Sequence, residues 1–229
     1  MSTKALSSSL FSSSFKHILL QDCRVDRIQS SAFSGFLMNT VTLRRVSVNR
    51  IERGAFSDQS VIENLNIQAC NISSLSQKAI VAGISRLNLT QSVIQSMSKY
   101  GAINVTVANV HIVNNTFRTL GEESLNFISW NSVEIRDNVI EFLEEGAINA
   151  IHSPIDASTA SFLFADNRIG YANRNSLVTR LQHEVDTLVD NNRFQHLCDC
   201  SLEQYVFPLT GHSGLSSPFQ VTGLPFINM

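Results

Sequence analysis

The arrangement of apolar and polar residues repeats along most of the chain. Each copy has four apolar positions, then a small residue and a fifth apolar position, as in Val41, Leu43, Val48, Ile51 and the pair Ala55-Phe56. The third apolar position recurs eight times, at steps of 22 to 29 residues, in Val25, Val48, Ile72, Ile94, Phe117, Ile140, Ile169 and Phe194. Of the forty apolar positions in the eight copies, thirty-nine hold apolar residues, and the exception is Thr187. A repeat of this length is typical of a solenoid.

Within a copy, apolar and polar residues alternate, as in Val133-Glu134-Ile135. A period of two predicts a β-strand with one face turned inward. Such a short strand cannot bury its apolar face alone, so successive copies are expected to stack as parallel strands around a continuous core. The sequence therefore predicts an all-β fold, a parallel β-solenoid of about eight coils of 22–25 residues.

Two kinds of solenoid fit this repeat. The segment 62–80 resembles a leucine-rich repeat, in which an Asn or Cys turns the chain after the strand, and the ending around Cys198 and Cys200 resembles the start of that family's C-terminal cysteine cap. A right-handed parallel β-helix also has coils of this length. The segments 102–107 and 125–127 alternate like further strands, whereas a leucine-rich repeat would place a looser or helical segment there. We therefore favour the right-handed β-helix over the leucine-rich-repeat arc.

The repeat also resembles that of animal extracellular proteins of the β-helix type along most of the chain. This resemblance implies an extracellular or cell-surface location. The repeats divide the chain into a Ser-rich N-terminal segment (1–16), the solenoid (17–202) and a C-terminal tail (203–229) that we expect to be truncated. The longest step between copies contains the insertion 152–161, and a second insertion, 179–186, is a candidate short helix.

One position of the repeat is mostly polar but is predicted to face the interior. It holds Cys23, Val46, Cys70, Ser92, Asn115, Asn138, Asn167 and Asn192. Buried amides need hydrogen-bond partners, so we expect a structural turn ladder bonded to neighbouring coils and to the backbone. Cys23 and Cys70 lie two coils apart, roughly 9.6 Å by the strand spacing, which exceeds the reach of a disulfide. They are expected to be buried, unreactive thiols.

Cys198 and Cys200 follow the last copy, outside the ladder. A Cys-x-Cys pair seldom closes on itself, so each cysteine needs a partner elsewhere. The leucine-rich-repeat cap that this ending resembles has two later cysteines, and none follows here. Either the chain is a fragment that lacks the disulfide partners of these residues, or they are free thiols.

Composition and charge exclude several classes of protein. The chain has 229 residues, of which 43% are hydrophobic and only 16% charged, and this excludes a disordered protein. A net charge of −2 gives no electrostatic reason to expect nucleic acid as a partner. No apolar run approaches the roughly 18 residues of a membrane span, and no secretory signal is visible at the N-terminus.

Four asparagines lie in N-glycosylation sequons: Asn71, Asn88, Asn104 and Asn114. The chain holds 20 asparagines and 43 serines and threonines in 229 residues, which gives about four sequons by chance. These possible sites therefore permit glycosylation without indicating it.

No arrangement of residues predicts catalysis, and we expect no cofactor and no metal. Asp137 and Asp166 take equivalent turn positions in successive coils and could share a calcium ion, but two solvated carboxylates are the preferred interpretation. The glutamates of a predicted solvated acidic stripe are Glu122, Glu123, Glu141, Glu144 and Glu145. His111, between two inward residues, is predicted to lie at the surface.

These observations predict a non-enzymatic extracellular repeat scaffold that presents a binding surface to a protein or glycan. The first insertion, with Trp130 and Tyr171 near it in coil order, is the candidate recognition surface. The alternatives are a glycan-active β-helix enzyme, either a lyase or a hydrolase, and a structural matrix repeat protein. Self-association through the solenoid ends is a further expectation, because uncapped solenoids expose strand edges.

Overall fold

The computed structural model describes residues 2–7, 16–35, 37–150, 160–173, 175–179, 185–197 and 219–221. Within these residues the chain forms a parallel β-solenoid of about seven turns, with coils of about 23 residues and no helix. The predicted fold class is confirmed. Each of the eight repeats contributes strands to two parallel sheets, where a leucine-rich repeat would return through a looser or helical segment.

The first sheet, sheet 1, has ten strands. In spatial order they are β1 (Ser2–Leu6), β3 (Arg24–Ile28), β5 (Ser47–Ile51), β7 (Asn71–Leu75), β9 (Val93–Met97), β11 (Thr116–Leu120), β14 (Val139–Leu143), β17 (Arg168–Ala172), β20 (Asn192–Leu197) and β21 (Phe219–Val221). The seven strands from β3 to β17 bury their second and fifth residues, while the first, third and fourth are exposed or half-buried. Three positions of each strand therefore reach the surface.

The second sheet, sheet 2, has eleven strands. The first five are β2 (His17–Gln21), β4 (Leu37–Arg44), β6 (Val61–Gln68), β8 (Gly83–Thr90) and β10 (Ile103–Val113). The other six come in pairs, β12 (Leu125–Ser129) with β13 (Ser132–Arg136), β15 (Ile148–Ala150) with β16 (Ser161–Ala165), and β18 (Leu177–Thr179) with β19 (Asp186–Asp190). The long strand β10 pairs with both β12 and β13. Each coil up to β10 therefore contributes one strand to sheet 2, and each later coil contributes two short strands.

Both predicted insertions fall at this break in sheet 2. One joins β15 to β16 and the other joins β18 to β19. Residues 151–159 and 180–184 lie outside the described residues, and with them most of the candidate recognition loop and of the candidate short helix.

The repeat positions read from the sequence are paired between coils. In sheet 1, the residues of the third apolar position pair in an unbroken series from Val25 to Phe194. Seven steps separate these two residues, so eight copies make about seven full turns. Sheet 1 also continues further than the repeats, because β1 pairs with β3 and β21 pairs with β20, both in parallel. The sheet thus reaches into the segments 1–16 and 203–229.

The core lies between the two sheets and is formed by the repeated apolar positions. Phe33 and Phe56 are fully buried, and their rings stack with centroids 4.5 Å apart. The small residue before the fifth apolar position is also fully buried in every described copy: Ala32, Ala55, Ala79, Ala102, Ser124, Ala147 and Ser176. Burial of this apolar surface is the main force that holds stacked coils together.

Every coil turns from sheet 2 into sheet 1 through a residue with left-handed backbone. These residues have φ between 50° and 57° and are Asp22, Arg45, Ala69, Gln91, Asn114, Asp137, Asp166 and Asn191. None is glycine, although the left-handed conformation strains most L-residues. The chain has few glycines, 10 of 229 residues, and residues with side chains therefore adopt the strained left-handed conformation in these turns.

Replacing Ala69 with glycine is expected to stabilise the protein by about 0.5–1 kcal/mol. Ala69 is exposed, with φ of 52°, so glycine removes strain of about 1–2 kcal/mol and loses about 0.5–1 kcal/mol to chain entropy. The midpoint of chemical denaturation measures the change. Ala108→Gly, in the middle of β10, is the matched control and should destabilise. Equal effects of the two substitutions would contradict the strain argument.

Candidate functional site

Four asparagines form a hydrogen-bonded ladder in the turn between sheet 2 and sheet 1. Asn138 Oδ1 accepts hydrogen bonds from the backbone N–H of Asn115 (2.9 Å) and from its Nδ2 (3.1 Å). Asn138 Nδ2 donates to the carbonyl of Ile112 (2.9 Å) and to Asn167 Oδ1 (3.0 Å). Asn167 and Asn192 repeat this pattern. All four asparagines are buried, so their amides serve the backbone and leave no surface for a ligand.

Toward the N-terminus the ladder continues with other side chains. The backbone N–H of Ser92 donates to Asn115 Oδ1 (2.9 Å), and the Ser92 hydroxyl accepts from the backbone N–H of Cys70 (3.0 Å). The Cys70 thiol donates to the carbonyl of Leu43 (3.3 Å), and burial raises its pKa. A thiol kept protonated is a poor nucleophile. Cys23 is half-buried, and both cysteines are free.

A shallow polar depression lies beside the ladder, at the start of β14, β17 and β20. The turn residues Asp137 and Asp166 line it together with the strand residues Arg168 and Arg193. These arginines pair in register on adjacent strands, and both are exposed. The depression therefore brings two carboxylates and two guanidinium groups to one edge of sheet 1.

The carboxylates of this edge already have partners. Asp137 pairs with the Nη1 of Arg136, and Asp166 accepts a hydrogen bond from Asn191 Nδ2. No group of three or more His, Cys, Asp or Glu side chains able to hold a metal occurs in the described part of the chain. The two aspartates predicted as possible calcium ligands therefore lie in equivalent turns, but no further carboxylate joins them.

Asp22 occupies the same turn position in the first coil. The Arg45 guanidinium donates to both carboxylate oxygens of Asp22, at 2.6 and 2.8 Å. These hydrogen bonds, with a further one from Gln21, lower the pKa of Asp22 to about 2. Three aspartates thus share one structural position, and each is hydrogen-bonded locally.

The glutamates of the predicted acidic stripe are partly neutralised by cations. Lys99 Nζ lies 3.2 Å from Glu144 and 3.6 Å from Glu122, and the hydrogen bond to Glu144 raises the pKa of Lys99. Arg118 Nε lies 3.7 Å from Glu141. Three of the five glutamates, Glu122, Glu141 and Glu144, are therefore in ion pairs between coils, and Glu123 and Glu145 are exposed.

The outer face of sheet 2 carries a row of outward polar side chains. Asn88 Nδ2 donates to Asn66 Oδ1 (2.7 Å), and Asn66 Nδ2 donates to the hydroxyl of Thr42 (3.3 Å). Leu19 and Arg44 lie beside this row in a shallow surface depression. The amides bond mainly to each other, so they form a regular polar face.

The same row continues into an ionic cluster. His111 Nδ1 lies 2.6 Å from Glu134 Oε2, and Arg136 donates to Glu134 Oε1. Burial raises the pKa of Glu134, but the hydrogen bonds from Arg136 and His111 outweigh it, so the pKa lies below its usual value. His111, predicted as a surface residue, is half-buried.

Two aromatic side chains stand on the outer face of sheet 1. Phe142 is 50% exposed and Tyr171 is 39% exposed, and their ring centroids are 6.5 Å apart. The two residues pair in register on β14 and β17. The other phenylalanines whose burial is described are all buried: Phe33, Phe56, Phe117, Phe127, Phe162, Phe164 and Phe194. Phe142 therefore departs from the way this chain uses phenylalanine.

The exposed pair interrupts a polar column. Both residues occupy the fourth position of their strands, and the register partners in earlier coils are Arg27, Arg50, Ser74, Ser96 and Thr119. Arg168 and Arg193 pair in register on β17 and β20, three residues before Tyr171 and its partner His196. We call Phe142, Tyr171, Arg168 and Arg193 the aromatic–arginine patch.

Sequence reasoning missed Phe142. The repeat predicts that Leu143, at its fourth apolar position, is buried, and this is confirmed, but it assigned no side to Phe142, which is exposed. The repeat itself contained a signal. The position two residues after the third apolar position is polar in the first five copies and aromatic in the next two, where it holds Phe142 and Tyr171.

The structure separates the two aromatic residues that the sequence placed near the first insertion. Tyr171 is exposed, but Trp130 is fully buried and its ring lies 6.3 Å from that of Phe162. Trp130 fills the corner between β12 and β13, so it is a core residue and its expected place in a recognition surface is wrong. Its indole N–H has no hydrogen-bond partner within the described residues.

The remaining predicted positions lie in several places. Asn71 and Asn114 are exposed, whereas Asn88 and Asn104 are half-buried and hydrogen-bonded to Asn66 and Asn126. Cys198 and Cys200 lie outside the described residues.

In the part of the chain that the structure describes, no helix is long and apolar enough to cross a membrane.

Comparisons of the chain with protein-family models, with curated proteins and with solved structures each give no match.

Proposed function

We propose that this chain is a non-enzymatic binding scaffold that presents the aromatic–arginine patch to a glycan or a protein. The observation that carries this proposal is the exposed pair of Phe142 and Tyr171 in a column that is polar in the five preceding repeats and in the repeat that follows. Exposed aromatic rings cost solubility, and rigid aromatic side chains supply much of the binding energy at recognition surfaces. A local break in an otherwise consistent pattern is expected at a functional site.

The scaffold suits this role because it holds the patch rigidly. Phe142 and Tyr171 stand on paired strands of a continuous parallel sheet, and the buried asparagine ladder fixes the turn that precedes both strands. Side chains held in place before binding lose less entropy when the ligand arrives. The extracellular or cell-surface location is part of the proposal and rests on the resemblance of the repeat to extracellular β-helix proteins.

The test compares the chain with Phe142→Ser/Tyr171→Ser. Serine is the native residue at the paired positions Ser74 and Ser96, so the variant is expected to fold. Both proteins are immobilised and exposed to a panel of oligosaccharides and of purified cell-surface ectodomains. At least one ligand should bind the chain and lose at least tenfold in affinity for the variant.

The matched control is Leu37→Ser/Val61→Ser, which removes an exposed apolar pair from adjacent strands of sheet 2. This control should bind like the unchanged chain. The proposal is wrong if every ligand binds the chain and the aromatic variant equally, or if the control loses binding to the same extent.

The second candidate function is a glycan-active enzyme, and the ionic cluster favours it. Glu134 is kept ionised and could orient His111 as a general base. The same oligosaccharide panel decides between the two functions, because depolymerisation detected as new reducing ends or unsaturated products, and lost in Glu134→Gln, would replace the binding scaffold with the enzyme.

A further inference from the structure

We infer that the ligand of the aromatic–arginine patch is an anionic glycan, an oligosaccharide that carries carboxylate or sulfate groups. This inference rests on the proposed function and names the chemistry of its ligand. Three features carry it: the state of the charges around the patch, the spacing of its groups, and its size.

Two arginines of the patch have no ion-pair partner. Asp137 and Glu141 are ion-paired with Arg136 and Arg118, whereas Asp166 accepts a hydrogen bond from the neutral amide of Asn191 and keeps its negative charge. Arg168 and Arg193 are exposed, and neither makes an ion pair within the described residues. Two adjacent guanidinium groups present their donors in a geometry that suits carboxylate or sulfate oxygens. The charges of the patch without an ion-pair partner are therefore two guanidinium groups and the one carboxylate of Asp166, which leaves an excess of one positive charge.

A glycine separates the aromatic and the arginine position of β17. Arg168 and Tyr171 stand three residues apart on β17, which corresponds to about 10 Å along the strand. Between them lies Gly170, where a Cβ atom would come within 2.6 Å of the carbonyl oxygen of Glu141. The position excludes any side chain, so no side chain of β17 itself stands on this face between Tyr171 and Arg168.

This spacing suits a sugar that carries an acidic group. The C–H face of a pyranose packs on an aromatic ring, as apolar surface does generally, and its charged substituent projects sideways toward the arginines. Phe142 and Tyr171 offer two such rings with centroids 6.5 Å apart. Two consecutive sugars of a linear glycan can therefore lie along the solenoid axis, one above each ring.

The size of the patch favours an oligosaccharide over a protein. A stable protein interface buries roughly 800 Å² on each partner and has an apolar centre. The patch has two aromatic side chains, and the paired positions on either side of them are Thr119 and His196. An apolar centre this small is sufficient for two sugar rings.

The overall charge disfavours nucleic acid. A protein that binds nucleic acid needs a basic stripe that neutralises several phosphates. The chain has a net charge of −2, and the patch supplies two free arginines. Nucleic acid is nevertheless an outcome that the experiment must detect, because bases also stack on aromatic rings.

The experiment is isothermal titration of the full chain with hexasaccharides of galacturonate, hyaluronan and chondroitin sulfate. Each is compared with its neutral form, in which the carboxylates are methyl-esterified and the sulfates removed. At least one acidic hexasaccharide should bind at least tenfold more tightly than its neutral form, and the difference should shrink at higher salt. Arg168→Gln/Arg193→Gln should remove this difference, and Phe142→Ser/Tyr171→Ser should weaken both forms.

The matched control is Arg24→Gln/Arg50→Gln, which removes two exposed arginines from the far end of the same sheet face. It should retain the preference for the acidic form. Equal binding of acidic and neutral forms, binding of none of the three acidic hexasaccharides, the same loss in the control, or tighter binding of a dodecathymidylate would each overturn the inference. A protein or neutral glycan that depends on Phe142 and Tyr171 would overturn the inference and leave the proposed function standing.

Discussion

Asn138→Ala is expected to lower the free energy of unfolding by about 3–5 kcal/mol. The Asn138 side chain is buried and makes five hydrogen-bond contacts, three of them with Asn115 and Asn167 and two with the carbonyls of Ile112 and Arg136. Its removal leaves the buried backbone N–H of Asn115 without an acceptor, which costs about 1–3 kcal/mol, and each further bond contributes about 1 kcal/mol. Chemical denaturation followed by far-UV circular dichroism measures the loss.

A second variant tests whether backbone capping is the cause. Asn138→Ser should lose about half as much, because Ser92 shows that a hydroxyl in this column accepts from the backbone N–H of the preceding coil at 3.0 Å. Asn71→Ala is the control, since Asn71 is exposed and follows the ladder residue Cys70, and it should change stability by about 1 kcal/mol or less. If Asn138→Ala costs no more than Asn71→Ala, the ladder does not stabilise the fold.

Phe56→Ala is expected to destabilise the protein by about 3–5 kcal/mol, the range for deletion of a buried phenylalanine ring. Phe56 is fully buried and stacks on Phe33 with an interplanar angle of 16°. Its removal opens a cavity between two coils, where a solenoid has only its neighbours for support. Phe56→Ile should cost less, because Ile80 occupies the next position of the same column.

The matched control is Phe142→Ala, the same substitution at the exposed phenylalanine. Phe142 is 50% exposed, so its loss should cost about 1 kcal/mol or less. The denaturation midpoints of the two variants, measured under the same conditions, give the comparison. A loss of stability in Phe142→Ala as large as in Phe56→Ala would mean that Phe142 belongs to the core, and the binding patch would lose its main argument.

Together these variants separate what holds the solenoid from what it presents. The ladder and the stacked phenylalanines act in the interior, between neighbouring coils. The aromatic–arginine patch lies on the outer face of sheet 1. The ladder and the core hold the inner face of the same strands in place. Substitutions in the patch can therefore be interpreted as changes in binding, provided that their stability remains close to that of the unchanged chain.

Much of the interior could be predicted from the sequence because the repeat has a nearly constant length. Equivalent residues of successive copies must meet when the coils stack, so Val48 pairs with Val25 and Ile72. The same argument placed Asn115 to Asn192 in one column, and buried amides in one column have only each other and the backbone as partners.

The surface could not be predicted in the same way. The sheet-1 strands place two consecutive residues outward, which strict alternation does not allow, and this detail decides that Phe142 is exposed. Trp130 and Tyr171 looked alike in the sequence, but one fills a corner of the core and the other stands on the sheet face.

The fold class, the repeat length and the columns that fill the core follow from the amino-acid sequence, because a short amphipathic strand can bury its apolar face only when successive copies stack. Which side chains meet on the outer surface depends on the three-dimensional arrangement of the coils. Arg168 and Tyr171 lie on the same outer face because β17 buries its second and fifth residues and turns the first, third and fourth outward. That geometry depends on the coils stacked above and below, which no single repeat contains.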